Sequence, residues 1–173
     1  DEINRGNLSK IFGELMMLIE ADKRGEKNKI KLTYSSDDDY FYVPDNIHII
    51  GTMNTADRSL TIVDYALRRR FAFIKMIPKF NNQFEEFILS NGLSEGIIKK
   101  IVSKMNYLNQ IIRDDESLGD GFEIGHSYFC TFSSGNEKRW YNNVIEFEII
   151  PLIKEYWFDD PDKVSQYSEE LLS

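Results

Sequence analysis

The 173-residue sequence predicts an α/β half followed by an acidic, helical half. Three observations predict it. Residues 47–53, Ile-His-Ile-Ile-Gly-Thr-Met, make a mostly apolar run of strand length, the pattern of a strand buried on both faces as in parallel sheets. From residue 81 onward apolar residues recur at helical spacing between short breaks. Charge divides at the same place: thirteen Lys and Arg stand against twelve Asp and Glu up to residue 80, and eight against seventeen beyond it. The boundary is expected near residues 78–82, giving domains of 1–80 and 81–173.

Each element has its own signal. Leu8, Ile11, Phe12, Leu15, Met16, Leu18 and Ile19 predict one amphipathic helix over residues 7–20, capped by Asn7. Residues 29–34 and 40–43 are short β-prone runs around the polar turn 35–39, a hairpin. The run 47–53 ends in polar residues 54–59, and in open α/β sheets ligands bind at that edge. Residues 59–69 suit a short helix and 71–77 a second strand closed by Pro78. Helices are then expected over 83–89, 94–113, about 138–157 and after Pro161, with a loop or short strand over 119–125 and a helical turn starting within 126–132.

Composition bounds the function. At 42% hydrophobic, with twelve Phe and nine Tyr, the chain has apolar material for one compact domain or two small ones. No run approaches the roughly 18 to 20 apolar residues that cross a bilayer, and Asp1-Glu2 is no basic signal-peptide start. A soluble, cytoplasmic protein is expected. Cys130 is the only cysteine, which excludes an internal disulfide and a Cys-rich zinc site. The acidic second half lacks the positive face that neutralises phosphates, so DNA contact is expected elsewhere.

Four groups of residues invite chemistry. Asp1-Glu2 supplies two carboxylates, and hydrolysis of a magnesium-bound nucleotide needs one near the metal and one near the attacking water; adjacent acids are also ordinary solvated charge. The strand-end segment 51–59 gathers Asn54, Thr55, Asp57 and Ser59, which equally suits a capped turn. Arg68-Arg69-Arg70 ends a predicted helix. Such cations offset a helix dipole, worth about 0.3 to 1 kcal/mol. Alternatively one guanidinium reaches a phosphate across a subunit boundary, worth about 10³ to 10⁵ in rate. His126 has no second His, Cys or carboxylate at metal spacing and reads as a hydrogen-bonded structural residue. Tyr128, Phe129, Phe132, Trp140, Tyr141, Tyr156, Trp157 and Phe158 read as packing.

Taken in order, Asp1-Glu2-Ile3-Asn4-Arg5, the helix ending Leu18-Ile19-Glu20, the hairpin, Met53-Asn54-Thr55-Ala56-Asp57-Arg58-Ser59 and Asp64-Tyr65-Ala66-Leu67-Arg68-Arg69-Arg70-Phe71 resemble the AAA+ module of the McrB family. These are the nucleotide-hydrolysing subunits of modification-dependent restriction systems. The resemblance continues through Phe122-Glu123-Ile124-Gly125-His126-Ser127-Tyr128-Phe129 and Glu155-Tyr156-Trp157-Phe158-Asp159-Asp160-Pro161, and so covers nearly the whole chain. It implies a partial AAA+ P-loop NTPase core over 1–80, running from the Walker B end to the last core strand with a β-hairpin insertion. An α-helical lid follows over 81–173.

The resemblance also implies roles. Asp1 is the Walker B carboxylate that helps hold Mg²⁺, and Glu2 polarises the attacking water. Asn54 is the first sensor, contacting the nucleotide, with Asp57 supporting it. Arg69, with Arg68 or Arg70 as alternatives, is the arginine finger for the neighbouring subunit. Related ATPases of the MoxR type carry an arginine-containing second sensor about where this chain has Gly125-His126-Ser127-Tyr128, leaving His126 and Ser127 as the lid's candidates for contacting the cofactor. Implied ligands are Mg²⁺ and GTP, or ATP. Implied partners are further copies in a ring, a hexamer, then a McrC-like nuclease subunit, and DNA through other regions, with no membrane.

Three readings follow. The first is a motor that drives translocation on DNA for the nuclease. The second is a MoxR-like chaperone ATPase, which shares the Asp-Glu-Ile-Asn-Arg opening; segments 54–59 and 125–129 favour the first. The third is a stable interaction and lid fragment. No Gly-rich Walker A loop precedes Asp1 in the sequence, so the phosphates lack their cradle. The isolated chain is expected to show only background nucleotide turnover, and robust turnover abolished by Glu2→Gln would refute that.

Overall fold

A computed structural model describes residues 1–36, 39–54, 56 and 68–173. They form two compact units, Asp1–Lys75 and Met76–Ser173.

In the first unit Asn7 caps helix α1 (Leu8–Phe12) as expected, its Oδ1 accepting from the Lys10 amide at 3.0 Å. The single helix predicted over 7–20 does not form. Gly13, at φ +48°, stops α1, and helix α2 (Leu15–Leu18) restarts beyond it. The break still buries an apolar face: Met16 and Ile19 pack with Leu8, Phe12, Ile49 and Phe71. The predicted hairpin is present but short. Strands β1 (Ile30–Lys31) and β2 (Tyr40–Phe41) pair antiparallel, with Ile30 opposite Phe41 and Lys31 opposite Tyr40.

Two strand predictions are corrected. Residues 47–53 join no ladder, and Ile50 is 88% exposed, so this run is not buried on both faces. Residues 71–77 form no strand either, with Phe73, Ile74 and Ile77 exposed. The physical reason is shared. A parallel-sheet strand is buried by neighbouring strands and covering helices, and the β1–β2 pair is the sheet present among the described residues. Apolar composition alone builds no ladder. The helix expected over 59–69 lies, apart from its last two residues, outside the described residues.

The second unit follows its helical periodicity closely. Helix α3 (Asn82–Ser90) is capped by Asn81, whose Oδ1 accepts from Phe84 N at 3.2 Å. Helix α4 (Glu95–Asp114) buries Ile98, Ile101, Met105, Leu108 and Ile112, a stripe of three- and four-residue spacing. Helix α5 (Glu137–Val144), capped by Asn136, runs through a wider π-helical turn (Ile145–Ile149) into α6 (Ile150–Tyr156). The predicted helix 138–157 is thus continuous but not uniformly α. Pro151 accounts for the change, because its ring lacks an N–H and crowds the carbonyl four residues back. Helix α7 (Pro161–Leu172) starts on an Asp160 cap and closes the unit, where the Tyr141 hydroxyl donates to Leu171 O at 2.8 Å. Burial pushes that phenol up to about 12.

The aromatic residues assigned to packing do pack, with one exception. Phe129 and Tyr141 stack in the core and Phe132 meets Trp140 edge-on, whereas Phe158 is 81% exposed. It sits in the turn between α6 and α7, where the core has already been filled by Trp157.

Asp115, just past the end of α4, ties three elements. It accepts from Lys163 Nζ at 2.6 Å and from Trp157 Nε1 at 2.8 Å, while Lys163 also lies over the Trp157 ring. Lys163 first, and then Ser117, hold its carboxyl well below the usual range against the cost of burial. A lowered folded-state pKa means that the stabilisation is complete above the unfolded carboxyl's pKa of about 3.9 and is lost as pH falls toward the folded value. Asp115→Asn is expected to destabilise the chain by about 2 kcal/mol at pH 7 in denaturant titration. The gap to wild type closes as pH drops below about 4.

Candidate functional site

The opening segment and the segment before residue 55 lie side by side in the first unit. Ile3 N donates to Thr52 O at 2.9 Å, Asn4 Nδ2 donates to Asn54 O at 2.9 Å, and the Thr52 hydroxyl donates to Asp1 Oδ1. Gly51 permits this approach: a Cβ there would stand 2.7 Å from Ile3 Cδ1. Arg24 fixes the other end. Its guanidinium donates to Ile19 O at 3.0 Å and to Ile47 O at 2.5 Å, fastening the end of α2 to the start of the extended segment.

Asp1, Glu2 and Asn54 can be placed on this frame. Asp1 is exposed, and its Oδ1 also accepts from Glu2 N at 3.0 Å, which orients the carboxylate. Glu2 has φ +48° and ψ +46°, the left-handed region; among the described residues it is the non-glycine residue found there. Its carboxylate pairs with Arg5 Nε at 2.8 Å. Asn54 is exposed, and its Oδ1 accepts from Ala56 N at 3.0 Å, leaving the NH₂ end of the amide to donate. Asp57 lies outside the described residues.

The three arginines differ. Arg70 pairs with Glu20 at 2.5 Å and its side chain is largely buried, whereas Arg68 and Arg69 are exposed. Arg69 and Arg70 line a cleft with Glu20, Ala21 and Asp22.

In the second unit His126 opens a 3₁₀ turn (His126–Phe129). Its Nδ1 accepts from Lys79 N at 3.1 Å, which assigns the ring proton to Nε2, and Phe80 and Phe84 pack edge-on against the ring. Asn109 holds the preceding loop: it donates to Ile124 O at 3.0 Å and accepts from Ile124 N at 2.7 Å. Ser127 is exposed. Among the described residues no group of three His, Cys, Asp or Glu side chains gathers for a metal.

Sequence reasoning missed Asn4, Gly51 and Arg24, which set this geometry without resembling catalytic groups. Asn4 is 7% exposed, an uncommon burial for an amide, and a lone glycine in an apolar run is the sort of signal that marks a close backbone approach.

Comparison with known proteins defines the class. Residues 1–71 match the AAA domain (dynein-related subfamily), a nucleotide-binding module, and residues 100–165 match the alpha-helical lid domain of McrB. The chain is a partial AAA domain followed by its helical lid. It belongs to the McrB family. It is 51% identical over 178 residues to the type IV methyl-directed restriction enzyme EcoKMcrB subunit of Escherichia coli K12, covering 99% of this chain and 39% of that protein. It is 25% identical over 174 residues to the type II restriction enzyme BsuMI component YdiS of Bacillus subtilis 168, covering 90% of this chain and 47% of that protein. The chain thus spans less than half the length of these relatives. Among the described residues no helix is long and apolar enough to cross a membrane.

The link between the two segments can be tested alone. Asn4→Ala removes the side-chain bond to Asn54 O and is expected to raise hydrogen exchange at the Ile3 amide about tenfold, consistent with roughly 1 to 1.5 kcal/mol for one hydrogen bond. Exchange in α4 should not change.

Proposed function

We propose that the protein carrying this chain hydrolyses a nucleoside triphosphate, GTP or alternatively ATP, and couples the hydrolysis to cleavage of modified DNA by a McrC-like nuclease subunit. The observation that carries the reading is the juxtaposition of Asp1 and Glu2 with Thr52 and Asn54, through the Ile3–Thr52 and Asn4–Asn54 bonds. Family membership supports it, as do the restriction-enzyme names of both relatives.

In this reading residues 1–80 are the end of the AAA core and 81–173 the lid. Asp1 fits Mg²⁺: its carboxylate is exposed and oriented by the Glu2 amide and the Thr52 hydroxyl, and that ion takes only one or two carboxylates besides phosphate and water. Bound there, Mg²⁺ would neutralise charge developing on the phosphates. Glu2 accepts the proton of the attacking water, which requires its carboxylate to leave Arg5. The Asn54 amide orients the same water, and Asp57 supports that loop.

Arg69 serves the nucleotide of the adjacent subunit in a hexameric ring, with Arg68 as its alternative. Arg70, already paired with Glu20, anchors the segment instead. From the lid, His126 through its Nε2–H and Ser127 through its hydroxyl contact the nucleotide.

Subunit mixing with the full-length protein tests this directly. Arg69→Ala and Glu2→Gln should each lower turnover by about 10³ or more, and Asn54→Ala by about 10² to 10³. Mixing the Arg69→Ala and Glu2→Gln proteins should restore part of the activity, because each supplies what the other lacks at a shared site. Wild-type turnover in either single variant would sink the assignment.

A further inference from the structure

The chain just past α2 is fastened in several ways, and Glu20 is the charged side chain it carries toward the arginines. Ile19 is buried in the apolar cluster that also takes Phe71. Its carbonyl accepts from Arg24 Nε at 3.2 Å and from Arg24 Nη2 at 3.0 Å, and Glu20 N donates to Met17 O at 3.3 Å. These bonds fix the backbone from which the Glu20 carboxylate reaches Arg70 Nη2 at 2.5 Å. The Arg70 side chain is 15% exposed and that of Glu20 34%, so water and salt screen this pair less than a fully exposed one. Segment 69–71 therefore meets the end of α2 at two successive residues, Arg70 through Glu20 and Phe71 through the cluster around Ile19. Arg69, immediately before them, is exposed at the cleft it lines with Glu20, Asp22 and Arg70. The pairing sorts these charges: Glu20 takes Arg70, and Asp22 pairs with Lys23 at 3.2 Å.

We propose that Glu20 is a positioning residue for hydrolysis in the neighbouring subunit: by holding Arg70 it fixes the adjacent backbone from which Arg69 reaches that subunit's terminal phosphate. The inference rests on the function above, which gives Arg69 its phosphate. Glu20 acts through Arg70 and Arg69 and needs no contact with the nucleotide. The role has a physical basis in the length of arginine. A guanidinium on a long side chain is aimed from its backbone, and a misplacement of about 1 Å in a group that stabilises a transition state costs about 10²-fold in rate. The carboxylate also keeps Arg70 in its own pair, so that the two neighbouring guanidinium groups hold separate places.

The test uses full-length protein hydrolysing GTP, or ATP, with Mg²⁺. Glu20→Gln should lower kcat about 10- to 100-fold while KM changes by less than about twofold, because the displaced guanidinium is used in the transition state. Adding the same substitution to Arg69→Ala should lower turnover no further, since the effect passes through Arg69. Mixed with the Glu2→Gln protein, the Glu20→Gln protein should recover part of its activity, because its own Glu2 then meets a well-placed Arg69 from its neighbour. Mixed with the Arg69→Ala protein it should gain nothing. Recovery with Glu2→Gln also reports a folded, assembled variant.

Recovery with the Arg69→Ala protein but not with Glu2→Gln would overturn the proposal, because it would put Glu20 at its own subunit's nucleotide. So would a Glu20→Gln protein that forms no ring in sedimentation, which would make the pair an assembly contact. Full turnover in Arg69→Ala would sink the proposed finger and this inference with it, whereas loss in Arg69→Ala beside full turnover in Glu20→Gln would sink this inference alone.

Discussion

The first unit depends on one short seam, where the backbone of Ile3 and the side chain of Asn4 bond to the carbonyls of Thr52 and Asn54. Forty-seven intervening residues separate Ile3 from Gly51, and closing such a loop has an entropic cost that grows only slowly with its length. What decides the outcome is local. Gly51 removes the Cβ that would collide with Ile3, and Arg24 holds Ile47 so that the following residues run past the opening segment. With the seam formed, two acidic side chains and one amide are presented from neighbouring loops.

The seam also explains how the candidate groups are held before any ligand arrives. Asp1 is oriented by two donors, Glu2 sits in a left-handed backbone conformation with its carboxylate on Arg5, and the Asn54 amide is turned by the Ala56 N–H. Each of these bonds lies close to the backbone and leaves part of the polar group to donate or accept elsewhere. The lid reaches comparable order by other means: a continuous apolar core, the Asn109–Ile124 pair and the Asp115–Lys163–Trp157 cluster. The Asn109 pair fixes the loop that leads into His126.

How far the sequence reveals this depends on what each element needs. The lid helices are legible because a helix satisfies its own backbone, so periodicity finds them, and the structure adds their caps at Asn81, Asn136 and Asp160. The π turn escapes periodicity, although Pro151 marks its cause. The first unit is harder. Gly13 breaks a helix whose apolar pattern continues through the break, and residues 47–53 have strand composition but join no ladder among the described residues. Glu2, Asn54 and the arginines were nominated by motif order. Their setting was not, because Asn4, Gly51 and Arg24 act by filling, yielding or bonding to backbone, and such roles leave little imprint on composition.

The central claim is that Glu2 and Asn54 act on one water from opposite sides of the seam. It is tested most directly by a structure of the full-length protein with Mg²⁺ and a non-hydrolysable triphosphate. The account predicts Glu2 released from Arg5, with its carboxylate and the Asn54 NH₂ both within about 3.2 Å of a single water facing the terminal phosphate. A bound nucleotide with Glu2 still on Arg5 and the Asn54 amide turned away from the phosphate would contradict it.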